Sequence, residues 1–422
     1  MKMKLAEIAK AINAQNDIEQ WKDVEVTSVS FDSRHLDQGS LFVPLQGAQD
    51  GHQYVPSAFT NGAVASLWAS DHEITDQTHP LLVVNDPLAA LQQLGKYYLH
   101  KINPIVVAVT GSNGKTTTKD MIASILSTQF NVTKTYANFN NEIGVPVTLL
   151  NMESNTEAVV VEMGMDRFGQ LDFLSKLVNP DIAVITMIGE AHIEFFGTRD
   201  KIADAKMEIA HGLKEDGTLV FNGDEPLLEE RVKDLTQRQM RFGRQLSNNL
   251  YATSVHDEPR QLSFTVNEWP DEEFTIPMVG EYNINNALAA MEVGKILHIT
   301  PAHMKQALAN VELTENRAEW VKGKNGEQIL SDVYNSNPTA AREVLKTIAE
   351  TPVDGRRIAV LGDMLELGDA APKLHASLAE EIDHQKIASV YLVGEQMKNL
   401  KDKLIQEGYP AEDIHHYVAS DL

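Results

Sequence analysis

Short apolar, β-branched runs alternate with helical patterns through the middle of the chain. The apolar runs cover residues 105–110, 158–163 and 182–188. Uninterrupted runs of this length are typical of strands that are buried on both faces of a parallel sheet. The helical patterns that separate or follow them cover residues 115–128, 169–177 and 199–213. This alternation predicts a doubly wound α/β domain.

The regions before and after this domain have their own patterns. The N-terminal region reads as a helix, two strands and a glycine-rich turn, at residues 5–14, 24–31, 40–45 and 46–51. Residues 219–279 change to short alternating segments, and a long Ala-rich helix is predicted at 283–297. The last region repeats the βα rhythm, with strands at 329–333, 357–361 and 390–393 and helices at 338–348 and 374–382. It therefore predicts a second, smaller Rossmann-like sheet.

These patterns predict an α/β protein of three domains. They are a small α/β N-terminal domain, a central doubly wound parallel-sheet domain with a phosphate-binding loop, and a C-terminal Rossmann-like domain. An Asn-Pro pair precedes the first central strand and disfavours continued helix, which sets the first boundary. The predicted domains span residues 1–100, 101–313 and 314–422.

The amino-acid composition excludes several classes of protein and several kinds of site. The 422 residues include 36 Lys and Arg against 60 Asp and Glu, and the net charge of -24 disfavours non-specific nucleic-acid binding. The absence of Cys excludes disulfides, thiolate zinc sites and Cys nucleophiles. No apolar run approaches the roughly 18 residues of a membrane helix, and the N-terminus lacks the features of a signal peptide. A cytoplasmic protein is expected.

A glycine-rich segment lies where the first central strand turns into the predicted helix. It reads Thr-Gly-Ser-Asn-Gly-Lys-Thr-Thr-Thr over residues 110–118. Gly111 and Gly114 let the backbone N–H groups face one anion, and the helix N-terminus adds positive potential. Lys115 can reach the outer phosphates of a nucleotide, and Thr116 can ligate Mg²⁺. The segment predicts a phosphate-binding loop for ATP or GTP; a glycine-rich helix start is the structural alternative.

Two polar side chains follow neighbouring apolar runs. Glu162 ends the run at 158–163, where burying an unpaired charge would be costly. His192 comes after the next run. Ligands of open α/β sheets gather at the carboxyl ends of strands, so Glu162 is placed to hold a nucleotide-bound Mg²⁺ and His192 to face the phosphate loop. The alternatives are a carboxylate that accepts turn N–H groups and a structural histidine.

Lys206 shares one helical face with three apolar residues, Ile202, Ile209 and Leu213. A lysine in an apolar stripe can lay its stem along the core with its amine in water. The functional alternative is an inward-facing amine, in a chemically modified form, at an active site.

Several further segments place polar residues at turns. Arg317 follows a Thr-Glu-Asn turn, and Asp332 ends a predicted strand; each is also compatible with a hinge or a cap. The loop at 362–368 reads Gly-Asp-Met-Leu-Glu-Leu-Gly, which favours a ligand loop over a solvated turn. In the N-terminal region, Asp-Ser-Arg at 32–34 and a glycine-rich stretch at 47–52 are adequate for an anionic or sugar-nucleotide group.

Taken in order, these segments resemble the Mur ligase family of peptidoglycan synthesis. The resemblance extends from the Asp-Ser-Arg segment to about residue 393, and it is carried by the phosphate loop and by the motifs at 136–146, 280–287, 332–338 and 362–368. It implies ATP-dependent amide formation through an acyl phosphate. The last two motifs are most similar to those of the ligase that adds D-alanyl-D-alanine to UDP-N-acetylmuramoyl-tripeptide.

The resemblance also implies roles for individual residues. Thr116 and Glu162 would serve a first Mg²⁺ and His192 a second one, while Lys206 would be carbamoylated to give a bridging carboxylate. Together with Lys115, the last three would form the catalytic set. The implied ATP-binding residues are Gly111, Ser112, Asn113, Gly114, Lys115, Thr116, Thr117, Asn283, Asn286, Arg317 and Asp332. The implied substrate-binding residues are Ser33, Arg34, Asn138, Asn335, Asn337, Asp363 and Glu366.

Two alternatives stay open from the sequence. One is another ligase of the same superfamily, such as a folylpolyglutamate synthase. The other is a non-catalytic ATP-binding regulator. The family usually continues past the position of residue 422 through another strand and a final helix, so the third domain is expected to be shortened. The resemblance also implies a monomer, and neither nucleic acid nor membrane insertion is expected.

Overall fold

The computed structural model describes residues 1–74, 78–258, 260–314 and 319–418. Their sheets and helices form three α/β domains, which confirms the predicted fold class. The strands of the large central sheet all lie between residues 105 and 276, while the sheets on either side end at residue 84 and begin at residue 319. The exact boundaries at 100 and 313 stay predictions.

The N-terminal domain has a parallel sheet of four strands in the order β3-β4-β5-β6. A short antiparallel pair, β1 and β2, lies apart from it. The predicted single strand at 24–31 is therefore wrong. Thr27 lies between β2 and β3 and donates a hydrogen bond from its N–H to the carbonyl oxygen of Gly39. The strands are β1 (Met3–Lys4), β2 (Glu25–Val26), β3 (Ser28–Ser30), β4 (Ser40–Phe42), β5 (Ala63–Ala69) and β6 (Leu81–Val84), and the α-helices are α1 (Leu5–Ala11), α2 (Val55–Asn61) and α3 (Pro87–Ile102).

The central domain is built on a mixed sheet of nine strands. Seven neighbouring strands run parallel, from β8 at one edge to β13, and β13-β14-β15 form an antiparallel meander at the other edge. The meander accounts for the change of pattern at 219–279. The strands are β7 (Ile105–Thr110), β8 (Val132–Lys134), β9 (Ala158–Glu162), β10 (Ile182–Ile185), β11 (Thr218–Asn222), β12 (Arg238–Gly243), β13 (Leu250–Glu258), β14 (Gln261–Val266) and β15 (Trp269–Ile276).

Helices cover both faces of this sheet, as its uninterrupted apolar strands require. Val107 and Val109 of β7 pack into one hydrophobic core, and Val106 and Ala108 pack into the other. The predicted helix at 199–213 is α-helical only to Met207 and continues as a 3₁₀ turn. The α-helices are α4 (Lys115–Leu126), α5 (Gly144–Leu150), α6 (Gln170–Val178), α7 (Ile193–Phe196), α8 (Arg199–Met207), α9 (Pro226–Arg231), α10 (Tyr282–Ile296) and α11 (Pro301–Ala309).

The C-terminal domain has a parallel sheet in the order β18-β19-β20 and a separate antiparallel hairpin, β16-β17. Assigning residues 329–333 to the Rossmann-like sheet is therefore wrong: β17 pairs with β16 in a separate two-stranded sheet, and Ile329 is exposed. The strands are β16 (Glu319–Lys322), β17 (Gln328–Ser331), β18 (Ile358–Gly362), β19 (Ser389–Val393) and β20 (Ile414–Tyr417), and the α-helices are α12 (Pro338–Glu350), α13 (Ala371–Ser377) and α14 (Met397–Gln406). Within the described residues, no helix has both the length and the apolar character needed to cross a membrane.

Candidate active site

The phosphate loop joins β7 to α4 at the carboxyl edge of the central sheet. Gly111 and Gly114 have φ angles of +154° and +79°. A Cβ atom at Gly111 would lie 1.8 Å from Thr186 Oγ1, and one at Gly114 would lie 2.3 Å from Asn286 Oδ1. Both glycines are therefore required, the second by its left-handed backbone as well as by the close approach of Asn286. A side chain at either position would collide with a neighbouring residue.

Lys115 begins α4, and its amine donates a hydrogen bond of 2.9 Å to the carbonyl oxygen of Gly111. This contact lays the lysine along the phosphate loop. Thr116 and Thr117 follow in the first turn and are buried. The loop thus presents one ammonium group, two hydroxyl groups and a helix N-terminus on one short segment, which is an arrangement suited to a polyphosphate.

Helix α10 packs beneath the loop through a chain of amides. Asn286 Nδ2 donates 2.9 Å to Asn283 Oδ1, and Asn283 Nδ2 donates 2.8 Å to the carbonyl oxygen of Val279. Thr118 Oγ1 donates 3.2 Å to Asn286 Oδ1. Burial raises the pKa of the neighbouring Tyr282 phenol well above its usual range, and the charge of Asp332 acts in the same direction. Asn283 and Asn286, two of the predicted ATP-binding residues, therefore help to hold α4 and α10 together.

A cavity of about 380 Å³ lies between the phosphate loop, α10 and the C-terminal domain. Its size falls in the range of small-molecule sites. Seven predicted site residues line it: Asn113, Gly114, Thr117, Asn283, Asn286, Asp332 and Asn335. Residues that the sequence reasoning did not single out also line it, among them Arg244, Tyr282 and Glu343.

Glu162 is almost fully buried at the end of β9. Its Oε1 accepts a hydrogen bond of 2.9 Å from Asn140 Nδ2, whereas its Oε2 has no hydrogen-bond partner among the described residues. The nearest cation is Lys119, whose Nζ lies 4.0 Å from Oε2. Burial lowers the pKa of Lys119, and Asp120 and Glu162 oppose that effect. A buried carboxylate oxygen without a partner is costly, and a cation would satisfy it.

Lys206 is buried on α8, with 2% of its surface exposed. This burial lowers the pKa of its amine well below the usual value, and the charge of Lys115 adds to the effect. Among the residues that the structure describes, no carboxylate forms an ion pair with Lys206. Its stem does not lead the amine into water, so the inward-facing alternative describes this lysine.

His192 contacts Glu366 of the C-terminal domain through its Nδ1 and the carboxylate Oε2. Burial lowers the pKa of His192; the Glu366 charge opposes this effect, and the charges of Lys115 and Lys206 reinforce it. The charges of both lysines are thus felt at the imidazole ring. The structure thus brings His192, Lys115 and Lys206 together, with Glu366 behind the imidazole ring.

Other predicted residues make contacts of a different kind. Asn337 caps α12 and exchanges hydrogen bonds of 2.6 and 3.1 Å with Asn113 of the phosphate loop. Asp363 accepts hydrogen bonds from the N–H groups of residues 396 and 397 at the start of α14. Arg317 lies outside the described residues.

The predicted N-terminal and loop residues lie outside the cavity lining. Arg34 is exposed and forms two hydrogen bonds of 2.9 Å with the Asp32 carboxylate, which lower the pKa of that group well below its usual range. The carbonyl oxygen of Ser33 accepts from Asn61 Nδ2. Asn138 is exposed on the loop before α5. None of the three lines the cavity.

A second group of potential metal ligands, Asp50, His52 and His72, lies in the N-terminal domain. His52 Nε2 accepts a hydrogen bond of 3.0 Å from the N–H of Ala69, so its Nδ1 carries the proton and donates 2.7 Å to Asp50. His72 contacts Asp50 at 2.8 Å and Asp71 at 2.6 Å through its two ring nitrogens. These hydrogen bonds occupy every ring nitrogen, so the geometry does not favour a metal there.

Three models of protein families match successive parts of the chain. A model described as "Mur ligase family, catalytic domain" matches residues 25–99, one for the "Mur ligase middle domain" matches 109–316, and one for the "Mur ligase, glutamate ligase domain" matches 316–421. Together they span nearly all of the described structure.

Individual proteins match over similar lengths. The UDP-N-acetylmuramoyl-tripeptide–D-alanyl-D-alanine ligase of Bacillus subtilis (strain 168) is 40% identical over 418 residues, which are 99% of this chain and 90% of that protein. The crystal structure of MurF from Acinetobacter baumannii superposes with a TM-score of 0.89 at 27% identity, over 99% of this chain and 90% of that one. MurF ligase from Thermotoga maritima in complex with ADP gives 0.78 at 27% identity, over 93% and 94%.

Proposed function

The chain belongs to the Mur ligase family, and we propose that it joins D-alanyl-D-alanine to UDP-N-acetylmuramoyl-tripeptide with ATP as the energy source. The observation that carries this proposal is the cavity between the phosphate loop and the C-terminal domain. Glu162 ends β9 opposite Val109 of β7, the strand that leads into that loop, and the charge of Lys115 acts on both His192 and Lys206. A protein that only bound ATP would not need this set of groups next to the phosphates. The Bacillus subtilis relative carries the name of this ligase.

ATP is the proposed nucleotide. The Thermotoga maritima relative was solved with ADP. In this chain the phosphates would lie on the loop N–H groups and Lys115, and the remainder of the nucleotide would extend into the cavity beside Asn283 and Tyr282. Asp332 would contact the nucleotide from the C-terminal domain, which is consistent with its position on the cavity wall.

The residues present fit Mg²⁺. Glu162 Oε2 is a buried carboxylate oxygen without a hydrogen-bond partner among the described residues, and Thr116 is a buried hydroxyl at the start of α4. We assign Thr116 and Glu162 to a first Mg²⁺ and His192 to a second. When bound, these cations would offset the negative charge that develops between two anionic reactants.

Lys206 supplies the remaining anionic ligand in this proposal. Burial lowers the pKa of the Lys206 amine and so favours its neutral form, whose lone pair can attack the carbon of CO₂. Loss of one proton from nitrogen then gives a carbamate, which carries the negative charge that Lys206 itself lacks. This modification accounts for a buried lysine that forms no ion pair with the residues that the structure describes.

Two displacements complete the reaction. A carboxylate oxygen of the tripeptide attacks the γ-phosphorus of ATP, the bond to the ADP oxygen breaks, and an acyl phosphate forms. The neutral amine of D-alanyl-D-alanine then attacks the acyl carbon, phosphate leaves and the nitrogen loses a proton. Lys115 stabilises the transferring phosphoryl group through the charge of its ammonium group.

The substrate-binding assignments rest on resemblance. Ser33 and Arg34 are proposed for the UDP group, Asn138 for the precursor, and Asn335, Asn337, Asp363 and Glu366 for the peptide ends. A cytoplasmic location is proposed because ATP and a UDP-linked precursor are the reactants. A monomer remains the expected oligomeric state.

The deciding experiment measures phosphate release from ATP with Mg²⁺ and UDP-N-acetylmuramoyl-tripeptide, with and without D-alanyl-D-alanine, while the pentapeptide product is followed by mass. Wild type should need both substrates. Lys115→Ala should lose about 10³-fold in rate because it removes the one ammonium group on the loop, and Lys176→Ala, at an exposed position of α6, serves as the control.

Three results would contradict the proposal. ATP binding without pentapeptide would support a regulator, and product with a different amino acid or with a folate would support another ligase of the superfamily. Full activity in Lys115→Ala would show that the lysine of the phosphate loop is not needed for the reaction.

A further inference from the structure

His192 and Glu366 meet through two strained turns that belong to different domains. His192 has a φ angle of +63° and Glu366 one of +59°, and both lie in the left-handed region that non-glycine residues rarely adopt. Such strain persists only where the surrounding structure holds it, and it is concentrated at functional sites. The two turns are tied together by a hydrogen bond of 3.0 Å from the N–H of Glu194 to the carbonyl oxygen of Glu366.

The C-terminal loop is shaped for this contact. Gly368 has a φ angle of +52°, and a Cβ atom there would lie 3.2 to 3.4 Å from the side chain and Cα of Glu194. The loop therefore approaches α7 closely on its glycine side. This approach delivers the Glu366 carboxylate to one particular ring nitrogen, Nδ1 of His192.

The contact has a chemical consequence for the imidazole. A carboxylate that accepts a hydrogen bond from Nδ1 keeps the proton on that nitrogen and leaves the lone pair on Nε2. Among the described residues, Nε2 makes no hydrogen bond. Histidines that bind metals through one nitrogen commonly donate the other N–H to a carboxylate, which fixes the tautomer and the ring orientation.

We propose that Glu366 is a positioning residue that prepares His192 Nε2 as a cation ligand. Because Glu366 belongs to the C-terminal domain, the ligand is oriented only while that domain is docked on the central one. Docking and completion of the second cation site are thereby a single event. This inference rests on the proposed function for the identity of the cation, and it gives Glu366 a second role in addition to the substrate binding proposed above.

A plain interdomain ion pair is the competing explanation. The same two domains are also joined by hydrogen bonds between Thr339 and Glu190 and between Arg260 and Gln328, and neither of these contacts includes a predicted cation ligand. If Glu366 only held the domains together, removing the contact at Gln328, which lies away from the cavity, would have a comparable effect. If Glu366 acted only through its charge, removal of the exposed carboxylate of Asp369 in the same loop would do so.

The test compares wild type with Glu366→Ala, Glu366→Gln, Asp369→Asn and Gln328→Ala. The first measurement is a long-range ¹H–¹⁵N spectrum of the His192 ring in the metal-free protein, assigned with His192→Gln. The second is the dissociation constant of Mn²⁺ in the presence of ADP. Neither measurement requires turnover.

Wild type should show the proton on Nδ1. Glu366→Ala should shift the tautomer towards Nε2–H and weaken Mn²⁺ binding about 10-fold. Glu366→Gln should recover much of both properties, because its amide oxygen still accepts from Nδ1. Both control variants should resemble wild type.

Three outcomes would overturn the proposal. They are an unchanged tautomer in Glu366→Ala, an unchanged Mn²⁺ affinity in that variant, and an equal loss in either control. Failure of the proposed function would look different: wild type would make no pentapeptide while the tautomer and Mn²⁺ results remained as described here.

Discussion

The active site and the histidine cluster of the N-terminal domain treat their charged groups in opposite ways. In the cluster, Asp50, His52 and His72 meet the hydrogen-bonding needs of every ring nitrogen with one another, with Asp71 and with one backbone N–H. In the active site, Glu162 Oε2 is buried without a hydrogen-bond partner, and Lys206 is buried without an ion-pair partner, among the described residues.

The difference distinguishes a site that binds a ligand from one that stabilises a fold. A buried polar group without a hydrogen bond costs stability, and it is retained where a ligand or a modification later satisfies it. A cluster that is already saturated would have to break its own hydrogen bonds before it could take a metal. Proximity of ligand atoms is therefore a weaker sign of a metal site than an unmet need for a partner.

The largest expected effect comes from Lys206→Met. Methionine keeps the volume and the apolar stem but cannot form a carbamate, so we expect ligase activity to fall about 10³-fold. Because the buried amine is lost, the thermal unfolding midpoint of the nucleotide-free protein should rise by about 2–4 °C. Activity and calorimetry on one preparation measure both.

Lys201→Met is the matched control, since Lys201 is an exposed lysine on the same helix, α8. Its activity should stay within about twofold of wild type, as expected of a surface substitution. Retained activity in Lys206→Met would remove the carbamate from the mechanism. A lower unfolding midpoint in that variant would show that Lys206 stabilises the protein, and the comparison between the two regions would fail.

A smaller effect is expected from Glu162→Gln. The glutamine oxygen can still accept from Asn140, so the change removes the negative charge and keeps the hydrogen bond. Mg²⁺ binding in the presence of ADP should weaken about 100-fold, measured by calorimetric titration. Glu157→Gln, an exposed residue just before β9, should leave that affinity unchanged. Equal Mg²⁺ affinity in wild type and Glu162→Gln would leave its buried oxygen unexplained.

The sequence predicted most of the fold because long apolar runs and turn residues determine parallel strands and their helices locally. It failed for β17, whose adjacent Ile329 and Leu330 fit a strand but do not specify a partner, so the hairpin with β16 was not foreseen. The division at Thr27 was also missed, since two adjoining short strands have the same local pattern as a single longer one.

The candidate site was predicted in its motifs but not in its supporting contacts. Lys119 was overlooked, although a second lysine four residues after Lys115, followed by the apolar turn at 121–123, is a sign of an inward charge. Asn140 lies within the motif at 136–146, but its role was not predicted. Its hydrogen bond to Glu162 depends on a loop that brings two segments together that are distant in the sequence. The contact between His192 and Glu366 spans two domains, and no local pattern encodes such a pairing.

The smallest expected effect tests the saturated cluster through His72→Gln. Asp71 and Asp50 raise the pKa of His72, so its contribution to stability is fully present below the unfolded-state pKa and is lost as pH rises through the higher folded-state value. Asp50 behaves in the opposite way, because hydrogen bonds from His52 lower its pKa and its contribution disappears on acidification. Wild type should therefore exceed His72→Gln in unfolding free energy by less than about 1 kcal/mol near pH 5.5, and the two should converge at alkaline pH. Denaturant unfolding across this range measures the difference, with the exposed His303→Gln as control.

Two outcomes would contradict this view of the cluster. A loss of stability in His72→Gln that persisted unchanged at alkaline pH would mean that the imidazole ring stabilises the fold by packing and not by its ion pairs. A stabilising effect of added Zn²⁺ on wild type alone would show that the cluster is a metal site.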